Sequence, residues 1–161
     1  MRKLFYFVLF VSAALILHSC MKGAPDNPGC TAKPIASDTA ALLKFAADSI
    51  RPLTYDSSGI FYKILDSGDQ NLKPVFSTNI KVNYVGRLMN GVIFDSASNT
   101  NLNGTPLYGL IYGWQYGLPK IGKGGHIQLL IPSALAWGCT GYGQVPADAP
   151  VYFDVELLDV N

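Results

Sequence analysis

Between Thr78 and Leu88 the chain alternates so that Ile80, Val82, Tyr84 and Leu88 share one face of an extended segment. A period of two over this length means a β-strand with one face buried. Asn90-Gly91 follows at once, and that dipeptide suits a tight hairpin because both residues tolerate left-handed backbone. The chain must therefore build an antiparallel sheet and cover it. Composition agrees: ten of the eleven acidic residues are Asp and the only Glu is Glu156, whereas helical proteins favour Glu and turns favour Asp. With 161 residues, 49% of them hydrophobic, there is room for one ordinary domain plus appendages. Further strand-like runs lie at Ile60 to Leu65 and at Val151 to Val160, where Val151, Phe153, Val155 and Leu157 point one way. Val92 to Phe94 forms the second hairpin arm, Ser96 to Thr105 reads as a polar loop, and Gln115 to Ile121 as a short helix before the turn Gly122-Lys123-Gly124-Gly125. The expected fold is α+β, an antiparallel sheet with one short helix against it.

The N-terminus has a different character. Arg2 and Lys3 precede an apolar run from Leu4 to Leu17 that is short for a membrane span and reads as a secretory signal. It ends in Leu17-His18-Ser19-Cys20, which resembles the lipobox of bacterial lipoproteins. That resemblance makes residues 1–19 a removable leader and Cys20 a lipidated N-terminus; an ordinary cleaved leader with an incidental cysteine is the alternative. Met21 and Lys22 supply no acidic retention signal after the cysteine, so the expected location is the outer membrane, facing the periplasm. Residues 20–36 hold Gly, Pro, Asp and Asn with few apolar side chains and read as a flexible tether. An N-terminal helical extension, residues 37–58, follows. Ser37 or Asp38 is placed to cap a helix that runs to about Ile50, with Pro52 stopping it. Residues 59–161 make up the main domain.

Without the leader the chain keeps 10 basic and 11 acidic residues, a net charge of −1, and one histidine, His126. Scattered charges of this balance do not neutralise a run of phosphates, so no nucleic-acid partner is expected. One histidine cannot build a multi-histidine metal site or support most triads, and His126 falls on the solvent face of its strand. No metal or cofactor is expected. Cys30 and Cys139 remain once Cys20 carries lipid, and no Cys-x-x-Cys pair exists. Export permits a bridge between the two, but the sequence leaves paired and free thiols equally open.

More specific are five blocks in order. They are Val82-Asn83-Tyr84-Val85-Gly86-Arg87-Leu88 with Phe94-Asp95-Ser96; Ile111-Tyr112-Gly113-Trp114 with Gly117-Leu118; Ile131-Pro132; Leu135-Ala136-Trp137-Gly138; and Phe153-Asp154-Val155-Glu156-Leu157-Leu158. Together they resemble FKBP-type peptidyl-prolyl cis-trans isomerases over roughly residues 75–160. The resemblance implies a five- or six-stranded antiparallel sheet curled around a short helix, with a pocket between them. It also implies proline-containing polypeptide segments as substrates and macrolide inhibitors as ligands. Such chemistry suits a chain with many aromatics and few nucleophiles. The barrier to turning a peptide bond, about 18–20 kcal/mol, is amide resonance, and an apolar pocket favours the twisted state that has lost it.

Carried over, the resemblance assigns catalytic roles to Tyr84, Phe94, Asp95, Trp114, Trp137 and Phe153, with Trp114 as the floor beneath the proline ring and Asp95 as the polar member. Leu110, Ile111, Tyr142 and Val145 are assigned to substrate binding, Ile111 through its backbone N–H. Four features depart from the family pattern. Trp137 stands where tyrosine is common. Thr105-Pro106-Leu107-Tyr108-Gly109 lacks the usual wall aromatic, leaving Leu107 or Tyr108 to replace it or the wall open. The loop from Ser96 to Gly104 has no arginine to pair with Asp95, and Ala147 replaces a proline common after Trp137. The expected function is a membrane-tethered isomerase assisting the folding of exported proteins, and the alternative is a catalytically weak binding or chaperone module.

Overall fold

The computed structural model describes residues 29–47 and 50–161. The expected leader, the lipidated Cys20 and the first part of the tether lie outside them. Among the described residues six strands form one antiparallel sheet: β1 (Thr54–Tyr55), β2 (Phe61–Asp66), β3 (Ile80–Leu88), β4 (Ile93–Thr100), β5 (His126–Ile131) and β6 (Val151–Val160), ordered β1-β2-β5-β6-β3-β4. The two best-patterned segments, β3 and β6, pair with each other along nine residue pairs at the centre. Val151, Phe153, Val155 and Leu157 of β6 are all buried, as are Ile80 and Val82 of β3. β1 draws Thr54 and Tyr55, which lie within the N-terminal extension, into the sheet beside β2.

The β3–β4 turn forms at Asn90-Gly91. Gly91 donates its N–H to the Leu88 carbonyl at 2.9 Å, Leu88 donates to Val92 at 2.9 Å, and the Asn90 side chain accepts from the Val92 N–H at 3.1 Å. β4 then runs on to Thr100, so the expected loop from Ser96 is half strand. Ser96, Ala97 and Thr100 pair with Val85, Tyr84 and Val82, while Ser98 Oγ and the Asn99 N–H both donate to Asn83 Oδ1. Backbone ladders need no apolar side chains, so a polar strand at a sheet edge leaves no alternation to read.

The helix inside the sheet, α2 (Tyr112–Gly117), begins three residues earlier than expected and ends in a 3₁₀ turn, Leu118–Lys120. Its glycines are the reason. A Cβ at Gly113 would lie 2.4 Å from Ile131 Cγ2, and one at Gly117 would lie 2.5 Å from Leu129 Cδ2. Two glycines one turn apart lower helix propensity by about 1 kcal/mol each, yet only they let the helix lie flat on β5.

The opposite face of the sheet is partly covered by the N-terminal segment. A 3₁₀ turn, Ile35–Asp38, leads into α1 (Thr39–Ala46). Leu42, Ala46 and Ile50 pack on Leu130 and Tyr152, and the Phe45 and Tyr152 rings meet at 5.3 Å. Asp38 does not cap α1. It is buried, and its carboxylate accepts the Ser133 N–H at 2.7 Å and the Ser133 hydroxyl at 2.6 Å. The apolar environment rewards this long-range partner over a local cap, because Ser133 is wholly buried and both its donors need an acceptor. Asp38→Ala is expected to lower stability by roughly 2–3 kcal/mol by orphaning those donors; an unchanged urea midpoint would count against this role. His126 lies on the outer face but is not free: its Nε2 meets the Asp154 carboxylate, which also accepts from Gln128 and Tyr152.

Candidate functional site

A cleft of about 120 Å³ opens between the start of α2 and the inner face of the sheet. Trp114 lies at its base, 4% exposed, with its ring edge-on to Tyr84 at 5.4 Å and to Phe153 at 5.2 Å. Tyr84 and Phe153 reach it from diagonal positions on the β3–β6 ladder, Tyr84 opposite Val155 and Phe153 opposite Gly86, and Leu102, Leu110, Ile111 and Trp137 complete the apolar walls. Phe94 stands behind the wall, edge-on to both Phe153 at 5.5 Å and Trp137 at 5.7 Å. Such offset and edge contacts are each worth about 0.5–1.5 kcal/mol beyond burial, so the rings hold one another in place. Gly86 makes this possible on β3: a Cβ there would lie 2.6 Å from the Phe94 ring and 2.8 Å from that of Phe153.

Polar groups in the cleft are few and fixed. Tyr84 donates its hydroxyl to Asp95 Oδ2 at 2.7 Å. Burial, then that bond, pushes the Tyr84 phenol well above its ordinary value, so it stays a donor. Tyr84 thus takes the place of the missing arginine as partner to Asp95. Ile111 precedes α2 in extended backbone, and its carbonyl accepts the N–H groups of Trp114 and Gln115 at 3.0 and 3.2 Å. Its own N–H has no protein partner among the described residues. The buried Gln115 amide donates to the carbonyls of Tyr108 and Leu110 at 3.0 and 2.7 Å, pinning the strip that carries Ile111.

Eight of the ten residues singled out in the sequence stand at or directly behind this cleft, and two do not line it. Val145 is buried in the core, and Tyr142, 70% exposed, stacks on the outer side of Trp137 at 5.8 Å. Neither Leu107 nor Tyr108 replaces the missing wall: Leu107 is fully buried in the core and Tyr108 faces outward. The wall is filled by Leu102, which holds a left-handed φ of 52° that is rare for a bulky residue. A lone leucine inside an otherwise polar stretch was the available signal.

The loop after Trp137 is tied down covalently. Cys139 and Cys30 form a disulfide with Cα atoms 5.5 Å apart, and Lys33 Nζ approaches Asp148 Oδ2 at 3.8 Å. The pairing left open by the sequence is thus made, and it fastens the N-terminal segment beside one wall of the cleft.

An aromatic cleft with one carboxylate, one free backbone donor and no nucleophile among the residues lining it suits chemistry in which no covalent bond is made or broken. The family model for FKBP-type peptidyl-prolyl cis-trans isomerase matches residues 71–158. Over 122 residues the chain is 40% identical to the isomerase FkpA of Escherichia coli K12, covering 73% of this chain and 43% of that one. The crystal structure of Escherichia coli FkpA superposes with a TM-score of 0.66 at 37% identity, covering 78% of this chain and 58% of that one. A peptidyl-prolyl cis-trans isomerase from Pseudomonas syringae gives 0.62 at 30% identity, covering 81% and 98%. The chain belongs to the FKBP-type peptidyl-prolyl cis-trans isomerase family. It spans less than half the length of the curated FkpA it matches.

Proposed function

We propose that this protein is a peptidyl-prolyl cis-trans isomerase acting on proline-containing segments of exported polypeptides. The observation that carries the reading is the nest of mutually packed rings around Trp114, with the Tyr84–Asp95 pair at its edge and the Ile111 N–H free beside it. A proline ring resting on Trp114 brings the X-Pro amide among Tyr84, Trp137 and Phe153, where water is excluded. The planar amide is the more charge-separated form and loses solvation there; the twisted form loses less, so the barrier falls. The Ile111 N–H holds a substrate carbonyl while the Asp95 carboxylate orients Tyr84 and presents a fixed negative edge to the turning amide. No bond is made or broken. A macrolide of the kind that binds this family is expected to compete for the same cleft.

An isomerisation assay on the purified full-length chain with a proline tetrapeptide tests the reading. Activity above background is expected, and Asp95→Ala is expected to lower kcat/KM about tenfold, the equivalent of one hydrogen bond of about 1.4 kcal/mol, with little change in Tm. A folded protein with no activity that Trp137→Tyr does not restore would make the cleft a binding module instead. Trp137 favours that second reading because its indole only donates, where a phenol also accepts.

We also propose that the protein is exported and held at the outer membrane, facing the periplasm, by lipid on Cys20. The charged start, the apolar run to Leu17 and Leu17-His18-Ser19-Cys20 support this, as does the Cys30–Cys139 bridge, since such bonds persist in oxidising compartments. Cys20→Ala is expected to move the protein from the membrane to the soluble fraction; retention in the membrane pellet would refute the anchor.

A further inference from the structure

We propose that the groove adjoining the cleft is a second binding site, which takes large apolar side chains flanking the proline of the same extended polypeptide. This inference rests on the isomerase reading, and it concerns selectivity rather than chemistry. The groove, about 690 Å³, is walled by Phe76, Tyr108 and Tyr112 on its outer side and by Leu110 and Ile111 on the side it shares with the cleft. The three aromatics are 58%, 59% and 56% exposed. Rings so open to water on one concave surface mark a surface built for contact.

Three observations say what covers it. The first is continuity: Leu110 and Ile111 line both cavities, so a chain leaving the cleft on that side passes directly into the groove. Second, the groove is rigid before anything binds. Tyr108 donates its N–H to the Phe76 carbonyl at 2.9 Å, Leu107 donates to Thr78 at 2.9 Å, and Gln115 pins Tyr108 and Leu110 from behind. Ordering costs that weaken peptide binding are thereby reduced. Third, none of the residues lining the groove is charged, which selects apolar side chains over acidic or basic ones. The free Ile111 N–H at the junction adds a main-chain donor of the kind that fixes extended peptides. A bilayer fits less well, because it meets protruding side chains and draws on basic residues for anionic headgroups.

The test uses the full chain, wild type and Phe76→Ala/Tyr108→Ala, with three substrates: a proline tetrapeptide flanked by alanine, an extended peptide with leucine and phenylalanine around the proline, and the same extended peptide with glycine and serine instead. Neither substituted residue lines the cleft. Wild type is expected to turn over the apolar extended peptide about five- to tenfold faster in kcat/KM than the glycine-serine one, from partial burial of an added side chain. The double variant is expected to lose that preference while keeping the tetrapeptide rate. Tyr108→Ser alone, monitored by the same Tm and circular dichroism, serves if the double variant does not fold. Retained preference in the variants, or none in wild type, overturns the groove while leaving the isomerase reading intact. A folded wild type inactive on all three peptides overturns the isomerase reading and this inference with it. In a Cys20→Ala background, loss of sedimentation with phosphatidylcholine vesicles on substitution, with peptide preference unchanged, makes the groove a membrane contact and also overturns the proposal.

Discussion

Trp114→Ala is expected to remove about 3–5 kcal/mol of folding stability together with all measurable isomerisation, because the ring is at once cleft floor and core. Its two edge contacts, to Tyr84 and Phe153, are lost together, and a cavity opens beneath β3 and β6. Trp114→Phe separates the two roles. The indole N–H is buried without a protein partner among the described residues, so deleting it sacrifices no hydrogen bond there and removes an unsatisfied donor. That variant is expected to cost only about 1–2 kcal/mol, from the smaller ring, and to keep a substantial part of the activity. Urea unfolding and the tetrapeptide assay on both variants decide the matter: a Trp114→Ala protein as active as wild type would remove Trp114 from the cleft's chemistry.

Cys30→Ser/Cys139→Ser is expected to destabilise the protein by about 3–5 kcal/mol, as the bond closes a loop of nearly the whole domain and most restricts the unfolded chain. The separation is 109 residues. Isomerase activity should fall much less, because Trp137 remains packed against Phe94, Phe153 and Tyr142. Dithiothreitol should shift the urea midpoint of wild type by a similar amount and leave the variant alone. Equal midpoints with and without reductant in wild type would show that the bond does not contribute.

What could be read in advance follows from where burial leaves a mark on the sequence. β3 and β6 are central strands with one apolar face, and their alternation is visible. Phe94, Asp95, Ile111 and Trp114 were legible as parts of ordered blocks, and the structure brings them together. The polar half of β4 was not legible, since its ladder with β3 uses backbone groups that every residue has. The start of α2 is masked in the sequence because Gly113 and Gly117 look like helix breakers until β5 is known to lie against them. Asp38 looked like a cap, since its buried partner Ser133 stands 95 residues away. Leu102 stands out in the sequence only as a lone leucine in a polar stretch, and its left-handed backbone carries no mark there.

The Cys30–Cys139 bond also decides how mechanical load enters the domain. If lipid on Cys20 anchors the chain as proposed, the ten residues from there to Cys30 span at most about 35 Å when fully extended. Tension from membrane motion or from a client held elsewhere arrives at Cys30, and the covalent bond passes it to Cys139, two residues from Trp137. α1 and its packing on Leu130 and Tyr152 lie beyond that junction along the chain, so the bond gives the pull a second covalent route that bypasses them. Such a leash would be tied beside the Trp137 wall of the cleft and would hold that side of the domain within a short radius of the bilayer.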